Sequence, residues 1–88
     1  GVYVAAINRI GHEQPVADTA GIEFWGQSFL ADPFGQVVAE GSADREEILL
    51  AEVDPCRSEE VRRNWPFLRD RRIDAYAGLD RRFLDEAR

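Results

Sequence analysis

The sequence contains no methionine and no lysine, and only one cysteine and one histidine. Without a methionine the chain does not begin at an ordinary start codon, so we expect a stretch of something longer. A single cysteine excludes an internal disulfide framework and a multi-cysteine metal site, and it leans toward a reducing, cytoplasmic compartment. The lone His12 cannot build a zinc site by itself, so no metal or cofactor is expected. No apolar run approaches the roughly 18–20 residues that a membrane span needs, and no basic-plus-apolar signal segment opens the chain. A net charge of −6 argues against nucleic acid as a partner, because such binding rests on neutralising phosphates. The acidic residues are spread along the chain, which reads as solubility.

What is present is one domain at most: 88 residues, 44% of them apolar, an ordinary globular composition and not a disordered one. The organising stretch is Gly21–Gly41, read as two strands around a tight turn. Asp32-Pro33-Phe34-Gly35 fits a type I turn: Asp bonds the backbone ahead, Pro pre-sets φ, and Gly suits the exit. Ser28 to Ala31 and Gln36 to Ala39 are the β-prone runs flanking it. Their apolar residues fall on both alternating sets, which predicts a sheet covered on both faces.

Val2 to Ile7 reads as another strand buried on both faces, and Asn8 to Glu13 as the polar, Gly-punctuated end of that strand at the rim of a site. Gln14 to Gly21 is a loop. Glu47 to Asp54 is predicted as the next strand, completing an antiparallel meander. Asp54 then caps a helix with Pro55 at its first position; Glu59 and Arg63 form an i,i+4 pair, and Trp65-Pro66 ends it. Phe67 to Tyr76 reads as an extended basic-aromatic tail, and Asp80 to Arg88 as a short closing helix.

Four motifs in order carry a family resemblance: Val4 to Glu13; Phe24 to Phe29 followed by Asp32 to Gly35; Glu60 to Arg63; and Phe67 to Tyr76. Together they resemble the C-terminal part of the nitrilase superfamily of carbon–nitrogen hydrolases, and within it the N-carbamoylputrescine amidase branch. The likeness runs to about Leu79. It implies an α/β fold, residues 1–88 being the C-terminal portion of a four-layer αββα sandwich, and a homo-oligomer joined through helices and tails. It also implies a Glu base, a Lys and a Cys nucleophile, with N-carbamoylputrescine, a carbamoylated amine, hydrolysed to putrescine, carbon dioxide and ammonia. With no Lys anywhere, that triad cannot be complete here, and the nucleophile would lie upstream of Gly1. No catalytic residue is therefore assigned within the chain.

The remaining candidates are for binding. Asn8 and Glu13 either reach a polar substrate at a pocket rim or anchor the loop. Phe24 and Trp25 line an aliphatic pocket or fill core, with core the plainer reading. Cys56, near a helix N-terminus, lacks any base placed beside it and reads as incidental. His12 and Glu13 are sequence neighbours that do not face each other on a strand, so His12 reads as a solvated loop residue. The Arg69–Arg72 cluster, interleaved with acids, reads as a salt-bridged tail, with Trp65, Phe67, Arg71 and Tyr76 as oligomer-interface candidates. The alternative from another class is a non-catalytic β-meander module that binds a partner through Trp65 to Tyr76. Too little helix is present to cover both faces of a sheet, which predicts large exposed apolar surfaces in the isolated segment.

Overall fold

In the computed structural model, which describes residues 1–85, the chain forms strands β1 (Val4–Ala6), β2 (Ile10–Glu13), β3 (Ile22–Trp25), β4 (Phe29–Ala31) and β5 (Val37–Glu40). One helix, α1 (Pro55–Asn64), and a 3₁₀ turn at Ile73–Ala75 follow. The strands make two separate ladders. A three-stranded antiparallel sheet runs in the order β1-β4-β5, and β2 and β3 pair as an antiparallel arm. The arm is inserted between β1 and β4. The stretch from Gly21 to Gly41 is thus not one hairpin: its first part, β3, pairs with β2.

The turn between β4 and β5 forms as its residues require. Asp32 Oδ1 accepts from the amides of Phe34 and Gln36, each at 2.9 Å. The Gly35 amide donates to the Asp32 carbonyl at 2.9 Å. Gly35 sits at φ +91°, where a Cβ would be strained. The register shifts between Leu30 and Ala31, leaving Val38 as the extra residue on β5.

Helix α1 also begins as expected. Asp54 Oδ1 accepts from the Cys56 amide at 2.9 Å, Pro55 opens the first turn, and Trp65 ends the helix by donating to the Val61 carbonyl. Helix and turn meet: Arg57 Nη2 lies 3.5 Å from Asp32 Oδ2, and the Phe34 and Trp65 rings are 5.8 Å apart. Val61 is buried beneath this contact.

The molecule is a thin layer, 56 × 47 × 13 Å, with a radius of gyration of 21.0 Å. A compact chain of this length would have a radius of about 12 Å. Within the described residues the sheet faces stay uncovered, as expected of a segment with too little helix to cover them: Val4, Val37 and Val38 are exposed, and the buried apolar side chains include Ala31 and Val61.

Four further expectations are corrected. Residues 47–54 pair with no strand among those described, although β1 and β5 each keep one unpaired edge. His12 lies on β2, not in a loop. The 67–76 tail is not extended: the Asp70 amide reaches the Pro66 carbonyl, the Tyr76 amide reaches that of Ile73, and Arg72 grips Asp74 through two hydrogen bonds at 2.9 and 2.6 Å. Short-range bonds satisfy this backbone where no sheet edge is offered to it. The closing helix is absent over residues 80–85, and its last three residues lie outside those described.

Candidate functional site

Where the arm leaves the sheet, two single strands of backbone cross. Residues 7–9 lead from β1 into β2, and residues 26–28 lead from β3 into β4. Both connections must turn sharply, and Gly26 and Gln27 do so with left-handed φ values of 60° and 59°. Gly26 has no alternative. A Cβ there would come within 2.6 Å of the Ser42 carbonyl oxygen and of Ile10 Cγ2.

Asn8 and Ser28 fasten the crossing. The Asn8 amide donates to Ser28 Oγ at 2.9 Å, and that hydroxyl donates back to the Asn8 carbonyl at 3.2 Å. Both ends of the Asn8 side chain are engaged: Nδ2 donates to the Gly26 carbonyl and Oδ1 accepts the Arg9 amide, each at 2.9 Å. Backbone bonds from Gly26 to Arg9 (2.8 Å) and from Gly41 to Ser28 (2.7 Å) close the same knot.

The loop after β5 joins it. The Gln27 amide donates to the Ser42 carbonyl at 3.0 Å, the Ser42 hydroxyl caps a turn by accepting from the Arg45 amide at 2.8 Å, and the Ser42 amide donates to Glu47 Oε1. That amide, with Arg45 nearby, holds the Glu47 carboxyl below its ordinary value. Asn8, Ser28, Ser42, Arg45 and Glu47 thereby line an open cleft of about 250 Å³, walled on its apolar side by Ile7, Ile10 and Leu49.

Of the three pocket candidates, only Asn8 borders this cleft. Glu13 lies on the arm, in an ion pair with Arg9 at 2.9 Å, both exposed. Trp25 stands opposite Ile10 in the arm's ladder, 65% exposed and in no core. Phe24 is half-buried beneath the Arg9 guanidinium, 4.1 Å from its ring centre. His12 and Glu13 do not act together. His12 instead faces Glu23 across the ladder, Nδ1 to Oε2 at 3.1 Å. Ser28, Ser42 and Glu47 were not singled out in the sequence, and only the crossing of distant segments reveals them.

Cys56 is exposed at the second position of α1, with the Asp54 side chain bonded to its amide. Trp65 and Phe67 stack at 6.2 Å and are exposed, as is Tyr76. Arg71 is exposed and donates to the Leu68 carbonyl at 2.6 Å. Among the described residues, no group of three His, Cys, Asp or Glu side chains could hold a metal ion, and no helix is long and apolar enough to cross a membrane.

Comparison with known proteins gives these features a frame. A family model described as carbon-nitrogen hydrolase matches residues 1–63. An N-carbamoylputrescine amidase of Arabidopsis thaliana is 39% identical over 80 residues, covering 89% of this chain and 27% of that protein. A 2-oxoglutaramate amidase of Bacillus subtilis is 46% identical over 74 residues, covering 84% of this chain and 26% of that protein. The crystal structure of a carbon-nitrogen hydrolase from Helicobacter pylori G27 superimposes with a TM-score of 0.77 at 49% identity, over 93% of this chain and 28% of that one. The chain spans about a quarter of the length of the relatives it matches.

Proposed function

The chain belongs to the carbon-nitrogen hydrolase family, and from that premise we propose that it is part of a thiol-dependent amidase that hydrolyses N-carbamoylputrescine. A thiolate would attack the carbamoyl carbon and expel ammonia; water would then release a carbamate that loses carbon dioxide and leaves putrescine. The supporting observation is the continuous likeness to N-carbamoylputrescine amidase over 89% of the chain. The chain's own contribution is architectural: the described residues pair no thiol with a base. Cys56 has only an N-capping carboxylate near its amide, and His12 is turned to Glu23.

A second substrate reading, an ω-amide such as 2-oxoglutaramate, is favoured by the 46% identity to the Bacillus subtilis enzyme. Both substrates release ammonia, so one assay separates the readings. The complete gene product is expected to release ammonia from N-carbamoylputrescine, and the 88-residue chain alone to release none. Preference for 2-oxoglutaramate would select the second reading. Ammonia release by the isolated chain would overturn the view that the nucleophile lies elsewhere. The exposed, stacked Trp65 and Phe67, with Arg71 and Tyr76 following, support a self-association surface in the same protein.

A further inference from the structure

Among the described residues, no strand of the arm pairs with a strand of the sheet, and two linkers join them. Among the described residues, neither β2 nor β3 packs against any strand of the sheet; each strand's contacts stay within its own ladder. Within the described residues, what joins the arm to the sheet is the crossing of the linkers, where the side-chain bonds are those of Asn8 and Ser28.

The crossing has the composition of a locked hinge. Gly26 and Gln27, two consecutive left-handed residues, lie between β3 and β4, the kind of position at which hinges absorb changes in backbone angle. Against that freedom stand the hydroxyl of Ser28, used as donor and acceptor at once, and a carboxamide with both ends committed. The Gln27 amide adds a bond to Ser42, so the loop that forms the far wall of the cleft is tied to the same point. Each end of the Asn8 carboxamide thus already holds one partner in this arrangement. Its chemistry is spent on holding the arm.

We propose that Asn8 and Ser28 are positioning residues: their clasp sets the arm against the sheet and so fixes the cleft wall that Ile10 of the arm shares with Ile7 and Leu49, against which substrate binds. The functional half of this statement rests on the amidase reading above. The mechanical half does not. Releasing the clasp leaves both ladders intact and frees only the angle between them, so substrate binding suffers before the chemical step does.

The test uses the complete gene product with Asn8→Ala, Ser28→Ala and Ser28→Thr, the last retaining a hydroxyl. Backbone hydrogen exchange is followed at residues 7–13 and 22–28 and compared with 29–31 and 37–40. Both alanine variants are expected to speed exchange in the first group and leave the second unchanged, with Ser28→Thr close to wild type. In steady-state ammonia release, the alanine variants should raise KM by about three- to tenfold, the scale of one lost hydrogen bond, while kcat stays within about twofold. Unchanged exchange in the arm would overturn the clasp, as would Ser28→Thr behaving like Ser28→Ala. Faster exchange with an equal fall in kcat and no change in KM would overturn the substrate-positioning role. Failure of the wild-type protein to release ammonia would instead strike the amidase reading, with the exchange result standing independently.

Discussion

The carboxylate of Asp32 is buried at the tip of the β4–β5 turn and faces Arg57 of α1 at 3.5 Å. One side chain thereby closes its own turn and reaches the helix. Burial pushes the Asp32 carboxyl up, but the Gln36 and Phe34 amides and the Arg57 guanidinium outweigh it and leave the group below its ordinary value of 3.8. A carboxylate depressed in this way stabilises the folded form above its unfolded pKa and loses that contribution as pH falls through the folded one. The turn–helix contact should therefore persist from neutral pH down to about 4 and fail only below 3.8. Trp65, beside Phe34, reports it by fluorescence in a Trp25→Phe background, and Asp32→Asn should remove the acid transition. A transition unchanged in Asp32→Asn would refute the assignment.

The cap of α1 is testable by itself. Asp54→Ala removes the acceptor of the Cys56 amide and should cost the helix about 1 kcal/mol. Hydrogen exchange at residues 56–59 should quicken, whereas Asp54→Ser should remain near wild type.

Two glycines with positive φ should respond differently to alanine. At Gly35 a Cβ meets nothing within 4 Å, so the cost is backbone strain alone, on the order of 1 kcal/mol. At Gly26 the same strain is joined by contacts at 2.6 Å with Ser42 O and Ile10 Cγ2. Gly26→Ala should lower the melting temperature of the complete gene product more than Gly35→Ala. Equal shifts would show that the crossing relaxes freely.

Cys56→Ser should leave ammonia release within about twofold of wild type, because no base among the described residues stands by this thiol and a serine fits an exposed helix start. A loss on the order of 10⁶-fold, the scale of a missing nucleophile, would return Cys56 to the centre of the mechanism.

Residues 1–88 expressed alone should bind an apolar-surface dye and unfold without a sharp transition, since Ile7, Ile48 and Leu50 are each at least 90% exposed in this layer. A monomer with a sharp transition and no dye binding would contradict this.

What the sequence determined by itself was local. Asp32 to Gly35 and Asp54 to Trp65 carry their partners within five residues, so turn and cap chemistry could be read directly, and the ordered motifs were enough to suggest the family. Tertiary structure decided what depends on partners far along the chain. The hairpin of Ser28–Ala31 and Gln36–Ala39 formed as β4 and β5, while Ile22–Trp25 paired with Ile10–Glu13 and residues 47–54 joined no ladder. The side chain of Asn8 looked available for a substrate until Gly26, 18 residues away, was found accepting its Nδ2 hydrogen bond. Hydrophobic patterning reports which residues seek burial, but ladders and clasps are set by which backbone stands beside which, and that is a property of the folded chain.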